Sequence, residues 1–361
     1  MYKYYIPFFA ALLIAYFSVP FAKKIAHKLG AIDIPKDKRR VHKKPIPLLG
    51  GLAIYFSTII SFIIFSFSGQ LTMDKSLISI IIAATIIVVT GVIDDTKDMS
   101  AKFKLLMQII AAFVLIWGDI KITFVSNPFV EGYATIDLKL LSIPVTIFWI
   151  VGITNTLNLI DGLDGLAAGV GGIASLSLLF VASTFIGVDP IYGVVMIMAS
   201  ILAGAAFGFL PHNFNPAKIF MGDTGALFLG FMLSVISIRG VMKSFTAVSL
   251  VLPIVILGLP ICDTAFAIIR RAINKRPIME ADKGHLHHRL LERGLTQKQT
   301  VLILYFISIS LGGLAVLMTG MDVSQSILTL GITMAIVLLI ATQIGVIDMK
   351  KRKGINDSER N

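Results

Sequence analysis

An all-α polytopic membrane protein is the fold class that this sequence predicts, on three observations. The chain is 56% hydrophobic and only 15% charged, its mean hydropathy is +0.87, and its apolar runs recur at lengths suited to a bilayer. A soluble domain of 361 residues could not cover so much apolar surface. Disordered and collagen-like classes are excluded by the same composition.

Eleven apolar runs stand out, at 4–22, 48–68, 76–93, 103–118, 140–157, 167–188, 190–210, 225–242, 246–269, 300–319 and 325–347. The first resembles the apolar core of a signal peptide. It is long, however, lacks a small-x-small cleavage site, and has its positive cluster Lys23, Lys24 and Lys28 behind it, so it reads as a retained helix. An outside N-terminus puts 26 of the 32 lysines and arginines in cytoplasmic segments, which predicts an N-out, C-in topology. The expected organisation is a single transmembrane domain, 1–347, followed by a basic cytoplasmic tail, 348–361. The net charge of +11 is thereby assigned to topology and to anionic headgroups, about 1 kcal/mol per basic residue near the surface, and no nucleic-acid partner is expected. Cys262 is the only cysteine, which excludes an intramolecular disulfide and leaves too few thiolates for a Cys-based zinc or iron–sulfur site.

Two loops carry local signals. The outer segment 119–139 alternates apolar and polar residues around Asn127-Pro128 and Gly132, which suggests a small β-hairpin. The spacing of Leu286, Leu290 and Leu291 in the cytoplasmic stretch 270–299 suggests a short amphipathic helix.

The remaining polar residues gather at the inner ends of the spans. Asp94, Asp95 and Asp98 end the third; Asn155, Asn158, Asp161 and Asp164 end the fifth; Asp223 precedes the eighth. Asp263 lies in the ninth, two turns before Arg270, with His285, His287 and His288 in the loop beyond. A bundle that gathers such carboxylates needs cations among them, because mutual repulsion raises their pKa values, and Mg²⁺ with its oxygen preference suits the donors. Plainer readings stand beside this one. An Asp-Asp pair at a helix end can be a solvated cap, Asp223 or Thr224 can cap the eighth helix, and histidines can lie on the surface. Asn155 to Asp164 is a stripe only if the helix breaks, as the two Asp-Gly pairs imply, so that the four polar side chains converge. Three histidines in four positions beside Arg270, Arg271 and Arg289 suit phosphate better than zinc. There is no Gly-x₄-Gly-Lys-Ser/Thr, so a P-loop is not expected. Asp164-Gly165-Leu-Ala-Ala168 lacks the arginine and later aspartates of a CDP-alcohol phosphotransferase.

At these residues the chain resembles the polyprenyl-phosphate N-acetylhexosamine-1-phosphate transferases. The likeness runs from Pro47-Leu-Leu-Gly-Gly51 through Asp94-Asp95, 155–167, 215–225 and Pro260-x-x-Asp263 to His285-Leu-His-His-Arg-Leu290. His-x-His-His-Arg-Leu, in place of a triple histidine, resembles the branch that uses UDP-GlcNAc rather than the muramoyl-pentapeptide branch. The resemblance implies transfer of GlcNAc-1-phosphate from UDP-GlcNAc to undecaprenyl phosphate at the cytoplasmic face of the plasma membrane, with Mg²⁺; whether Mn²⁺ substitutes is left open. It implies Asp223 and Asn158 as metal ligands, Asp94 and Asp95 as the catalytic acidic pair, and Lys104 as a phosphate anchor. Asn155, Asp161 and Asp164 would organise the nucleotide side, and Arg271, His285, His287 and His288 would meet phosphate. Ala226 stands where many members have serine. Assembly as a homodimer is left open, as are another UDP-N-acetylhexosamine donor and the glycan built downstream, whether teichoic acid or O-antigen.

Two rival classes remain. Membrane carboxylates also suit an ion-coupled secondary transporter, but such sites lie near mid-membrane, whereas here only Asp263 is well inside a span. A lipid scaffold gives no reason for acidic and amide residues at so many inner helix ends.

Overall fold

The computed structural model describes residues 2–34, 45–126, 135–240, 251–274 and 284–343. Its helices follow the apolar runs: α1 (Tyr2–Leu29), α2 (Gly51–Phe67), α3 (Lys75–Lys97), α4 (Ala101–Trp117), α5 (Ser142–Ile160), α6 (Leu166–Thr184) and α7 (Ile191–Asn213). They continue with α8 (Gly222–Gly240), α9 (Val251–Ile256), α10 (Gly258–Ile273), α11 (Leu286–Glu292), α12 (Gln297–Met318) and α13 (Val323–Gln343). Among the described residues, 7 helices are long and apolar enough to cross a membrane: α1, α3, α5, α6, α7, α8 and α12. The runs expected at 48–68 and 325–347 contain shorter apolar helices, Gly51–Phe67 and Ser324–Leu339.

Polar side chains mark the helix starts. Asp74 accepts the Leu77 amide ahead of α3, Ser100 accepts that of Phe103 ahead of α4, and Thr296 forms a reciprocal capping box with Gln299 at α12. The ninth run is not one helix. It breaks at Leu257 between α9 and α10, and α10 carries Asp263 and Arg271 on its buried face. Asp263 is therefore not the isolated mid-span carboxylate that an unbroken ninth helix implies. Its oxygens accept hydrogen bonds from His285 Nδ1 at 2.8 Å and from the Leu286 amide at 2.7 Å. The short helix expected around Leu286–Leu291 is α11, with Leu290 inside the core.

Helix α8 is the axis of the bundle. Every residue from Thr224 to Gly240 is buried, and the helix is apolar on all sides, as a helix ringed by others must be. It packs against α3 and α5, and more lightly against α2, α6 and α7. The outer helices expose large apolar side chains such as Phe17, Phe148 and Phe306, which suits contact with lipid. The buried apolar side chains form one connected core.

Two short antiparallel strand pairs accompany the helices: β1 (Ile32–Asp33) with β2 (Ile46–Pro47), and β3 (Phe124–Ser126) with β4 (Thr135–Asp137). The second lies in the segment expected to form a hairpin, though Asn127-Pro128 and Gly132, where the chain should turn, fall outside the described residues. So does the basic tail 348–361. The β1–β2 pair has a use. After β2, the backbone of Pro47 accepts from the Phe220 amide, while the Gly50 and Gly51 amides donate to Phe220 and Met221, all at 2.9 Å. The Pro47–Gly51 motif thus grips the segment that leads into α8.

Candidate functional site

The last turn of α3 is where the acidic residues begin to act. Asp94 and Asp95 are adjacent, so their side chains leave the helix about 100° apart and face different neighbours. Asp94 Oδ1 accepts the Met99 amide at 2.7 Å, closing the tight turn into α4, and Oδ2 accepts from Lys104 Nζ at 2.6 Å. The same ammonium reaches Asp223 Oδ2 at 2.7 Å, and Asn158 Nδ2 donates to Asp223 Oδ1 at 3.0 Å. Four elements, α3, α4, α5 and α8, therefore converge on one cluster whose ion-pair members are 12–26% exposed.

Asp95 does a different job. Its Oδ1 accepts the Asp223 amide at 2.9 Å, and its Oδ2 accepts the Thr224 amide at 3.0 Å and the Thr224 hydroxyl at 2.6 Å. These amides are among the donors at the start of α8 that have no partner within the helix. The cap was expected from Asp223 or Thr224 themselves. It comes instead from a carboxylate on α3, with negative charge at the positive end of the helix dipole. Gly222, at φ +69°, makes the fit: a Cβ there would meet the Asp95 carboxylate carbon at 2.8 Å.

The stretch from Asn155 to Asp164 is broken as expected, α5 ending at Ile160 and α6 beginning at Leu166 after Gly165 at φ +82°. Its four polar side chains do not converge. Asn155 exchanges amide hydrogen bonds with Gln108 of α4, at 2.6 and 3.3 Å, locking α4 to α5. Asn158 goes to Asp223. Asp164 Oδ2 accepts from Asn215 Nδ2 at 2.9 Å and from the Ala217 amide at 3.0 Å, so it shapes the loop ahead of α8, in which the Asn215–Pro216 peptide is cis. Asp161 keeps part of its surface accessible, yet its carboxyl is pushed up to about 8, first by burial and then by the charges of Asp223, Asp95 and Asp164.

His285 and His287 are inside the protein, and His288 is half-buried. His285 and His287 are 5% and 2% exposed, and their rings stack with centroids 5.8 Å apart. His285 is taken up by Asp263. Burial, then the charge of His288, pushes the His287 imidazole down to about 3. Among the described residues neither of its ring nitrogens has a hydrogen-bond partner. The ring lies against the Gly162 backbone, where a Cβ would meet His287 Cε1 at 2.8 Å. Arg271 is buried on α10.

Three contributors escaped the sequence reading: Gln108, Asn213 and Gln297. Asn213 accepts the Gly165 amide and donates to the Ile219 carbonyl, each at 3.0 Å, and Gln297 accepts from Asn215 at 2.6 Å. Gln108 left a usable signal, being a lone amide in an apolar run one helical turn beyond Lys104.

Residues 77–241 match the model of glycosyl transferase family 4. The chain is 38% identical over 352 residues, 97% of its own length and 94% of the relative's, to a Bacillus subtilis protein named "Probable undecaprenyl-phosphate N-acetylglucosaminyl 1-phosphate transferase". The chain belongs to glycosyl transferase family 4. This family 4 chain is also 35% identical over 314 residues to the decaprenyl-phosphate N-acetylglucosaminephosphotransferase of Mycobacterium tuberculosis, covering 82% of its own length and 77% of the relative's. It is 30% identical over 297 residues to a phospho-N-acetylmuramoyl-pentapeptide-transferase of Borrelia garinii, covering 75% of its own length and 81% of the relative's.

The oxygen donors around Asp223 are of the kind that would suit Mg²⁺. This ion is commonly held by one or two carboxylates, with water and substrate phosphates completing its shell. Among the described residues no three carboxylate, imidazole or thiolate groups stand together as a ready-made metal site. Asp223 and Asp94 would supply the carboxylate oxygens, and Asn158 would supply its carbonyl after a turn of the amide that now donates to Asp223.

Proposed function

We propose that this family 4 chain transfers GlcNAc-1-phosphate from UDP-GlcNAc to undecaprenyl phosphate, giving undecaprenyl-diphospho-GlcNAc and UMP. The work is done at the cytoplasmic face of the plasma membrane, with Mg²⁺ as the cofactor and Mn²⁺ as a substitute. The observation that carries this reading is Lys104 Nζ lying between Asp94 and Asp223, at 2.6 and 2.7 Å. Two carboxylates sharing one ammonium at the helix ends leave net negative charge for a divalent cation and a cation for phosphate, which is what two phosphate-bearing substrates need. The likeness to the Bacillus subtilis relative over nearly the whole chain supports the choice of donor and acceptor.

An oxygen of the lipid phosphate attacks the sugar-linked phosphorus of UDP-GlcNAc. The bond from that phosphorus to the bridging oxygen breaks, and UMP leaves with the electron pair. A phosphate monoester has its second pKa at about 6, so the attacking group is already ionised and needs no dedicated base. Asp94 has both oxygens engaged, by the Met99 amide and by Lys104, which favours direct attack over a phospho-aspartyl intermediate. Asp95 holds the start of α8, and so the position of Asp223. Lys104 offers its ammonium to the phosphates. Bound Mg²⁺ would neutralise diphosphate charge.

The test is UMP release by purified protein given UDP-GlcNAc, undecaprenyl phosphate and Mg²⁺ in detergent. A transporter would need a sealed vesicle and a gradient; a transferase needs neither. Radiolabelled UMP should enter UDP-GlcNAc only when the lipid phosphate or its glycosylated product is present. Exchange by delipidated protein would overturn the direct mechanism, and absence of both exchange and UMP release would reject the transferase reading.

A further inference from the structure

Helices α4 and α5 run past each other in opposite directions, and each brings a polar residue to Asp223: Lys104 from α4 and Asn158 from α5. One turn deeper on each helix stands a second pair. Gln108 lies about 6 Å beyond Lys104 and Asn155 about 4.5 Å before Asn158, at 1.5 Å per residue, so each shares a helix face with its neighbour in the cluster. Gln108, only 1% exposed, accepts from Asn155 Nδ2 at 2.6 Å and donates to Asn155 Oδ1 at 3.3 Å.

Among the described residues these are the only direct side-chain hydrogen bonds between α4 and α5. The rest of the buried face of α4 is Ala111, Ala112 and Leu115. Contacts between such apolar surfaces have little directionality, so they hold two helices together without fixing one along the other. A reciprocal amide pair does fix it, because a slide stretches and bends both bonds at once. Asn155 is also fully engaged. Its amide nitrogen donates to the Val151 carbonyl at 2.8 Å as well as to Gln108, which leaves neither amide hydrogen for a nucleotide.

We propose that Gln108 and Asn155 are positioning residues, a pair that sets the register of α4 on α5 so that Lys104 and Asn158 reach Asp223 together, and that Asn155 acts through this pair rather than by touching the nucleotide. The inference rests on the transferase reading above for the reaction it serves. Side-chain length carries the register. The pair spans the two helices with the two methylenes of Gln108 and the one of Asn155. Gln108→Asn makes the span one methylene short, Asn155→Gln makes it one long, and the exchanged double variant restores the sum. A misplacement of about 1 Å at a reacting centre can cost on the order of a hundredfold in rate.

In the UMP assay, Gln108→Asn and Asn155→Gln should each lower kcat by about tenfold or more, with KM for UDP-GlcNAc within about twofold of the wild type's. The exchanged double variant should be faster than either single one. A rise in KM for UDP-GlcNAc in Asn155→Gln that Gln108→Asn does not relieve would make Asn155 a nucleotide ligand and overturn the positioning role, as would a double variant no faster than the slower single one. A second readout needs no turnover. Lys104→Met should change the melting temperature less in an Asn155→Gln background than in the wild type, because the bridge at Asp223 is already out of register there. Equal changes in the two backgrounds overturn the coupling. Wild-type protein that releases no UMP rejects the transferase reading, and the melts then decide the register on their own.

Discussion

The imidazole of His287 lies against the backbone of Gly162, on ground that a β-carbon at residue 162 would need. This contact ties α11 to the turn that follows α5, four residues beyond Asn158. Gly162→Ala should therefore lower stability, since overpacking of this kind costs about 1–3 kcal/mol, and lower turnover by displacing the turn beside the site. Adding His287→Ala should return much of it. A double variant no better than Gly162→Ala alone, in the same UMP assay, would make His287 a substrate ligand rather than a packing partner.

Lys104→Met removes the cation between Asp94 and Asp223 and leaves two partly buried carboxylates facing each other. Turnover should fall by at least about a hundredfold, because ground-state charge balance and a phosphate contact go together. The variant's melting temperature should fall in EDTA and recover with Mg²⁺ by more than the wild type's. Equal Mg²⁺ responses in the two proteins would remove this pair of carboxylates from the metal site.

Asp95→Asn keeps one oxygen for the first amides of α8 but loses the charge that binds them. Hydrogen bonds to charged groups are worth about 1.5–3 kcal/mol, so a loss of stability within that range is expected, with kcat lowered and KM for UDP-GlcNAc little changed. A rise in KM alone would point to direct contact between Asp95 and the donor.

The pH dependence follows from Asp161, whose carboxyl sits at about 8 in the fold against 3.8 unperturbed. The folded protein binds the extra proton between these values, so metal-free stability should fall as pH rises through that interval. His287, held at about 3, contributes the opposite slope only below its ordinary 6.5. The clean window is pH 6.5 to 8. There Asp161→Asn should flatten the decline measured by thermal melts in EDTA, and an unchanged slope would remove Asp161 as its source.

Orientation is checked with cysteines placed in a Cys262→Ala background. Asp98→Cys and Glu292→Cys should be protected from impermeant maleimide in intact cells, and Gly132→Cys should be labelled. The reverse pattern would put the acidic site outside the cell.

Hydropathy made the helical runs legible, because a bilayer demands uninterrupted apolar length and the sequence displays it openly. Hydropathy does not show the break at Leu257, because the run stays apolar through it, although Gly258 and Pro260 just beyond it are helix-breaking residues. Asp94, Lys104, Asn158 and Asp223 were legible as chemistry, and the structure gathers them. Which acid does what was not, for neighbours in sequence look alike until a helix points them apart: Asp94 takes the ammonium, and Asp95 takes the start of α8. The plainer reading of the histidines as surface residues does not fit His285 and His287, because burial is invisible in a loop of mixed polarity. Asn213 was overlooked because a buried amide at a helix end declares itself only through its partner, whereas Gln108 was a lone amide in an apolar run whose signal went unread.

The bridge from Lys104 to Asp94 spans 10 residues and the bridge to Asp223 spans 119. A chain emerging from the ribosome therefore holds the first half of this arrangement long before the second exists. Until α8 is threaded into the bundle, Asp95 has no amides to hold and Lys104 balances a single carboxylate. Biogenesis of the active centre is thus a late event, and a nascent chain halted before α8 is a membrane-inserted but chemically unfinished protein.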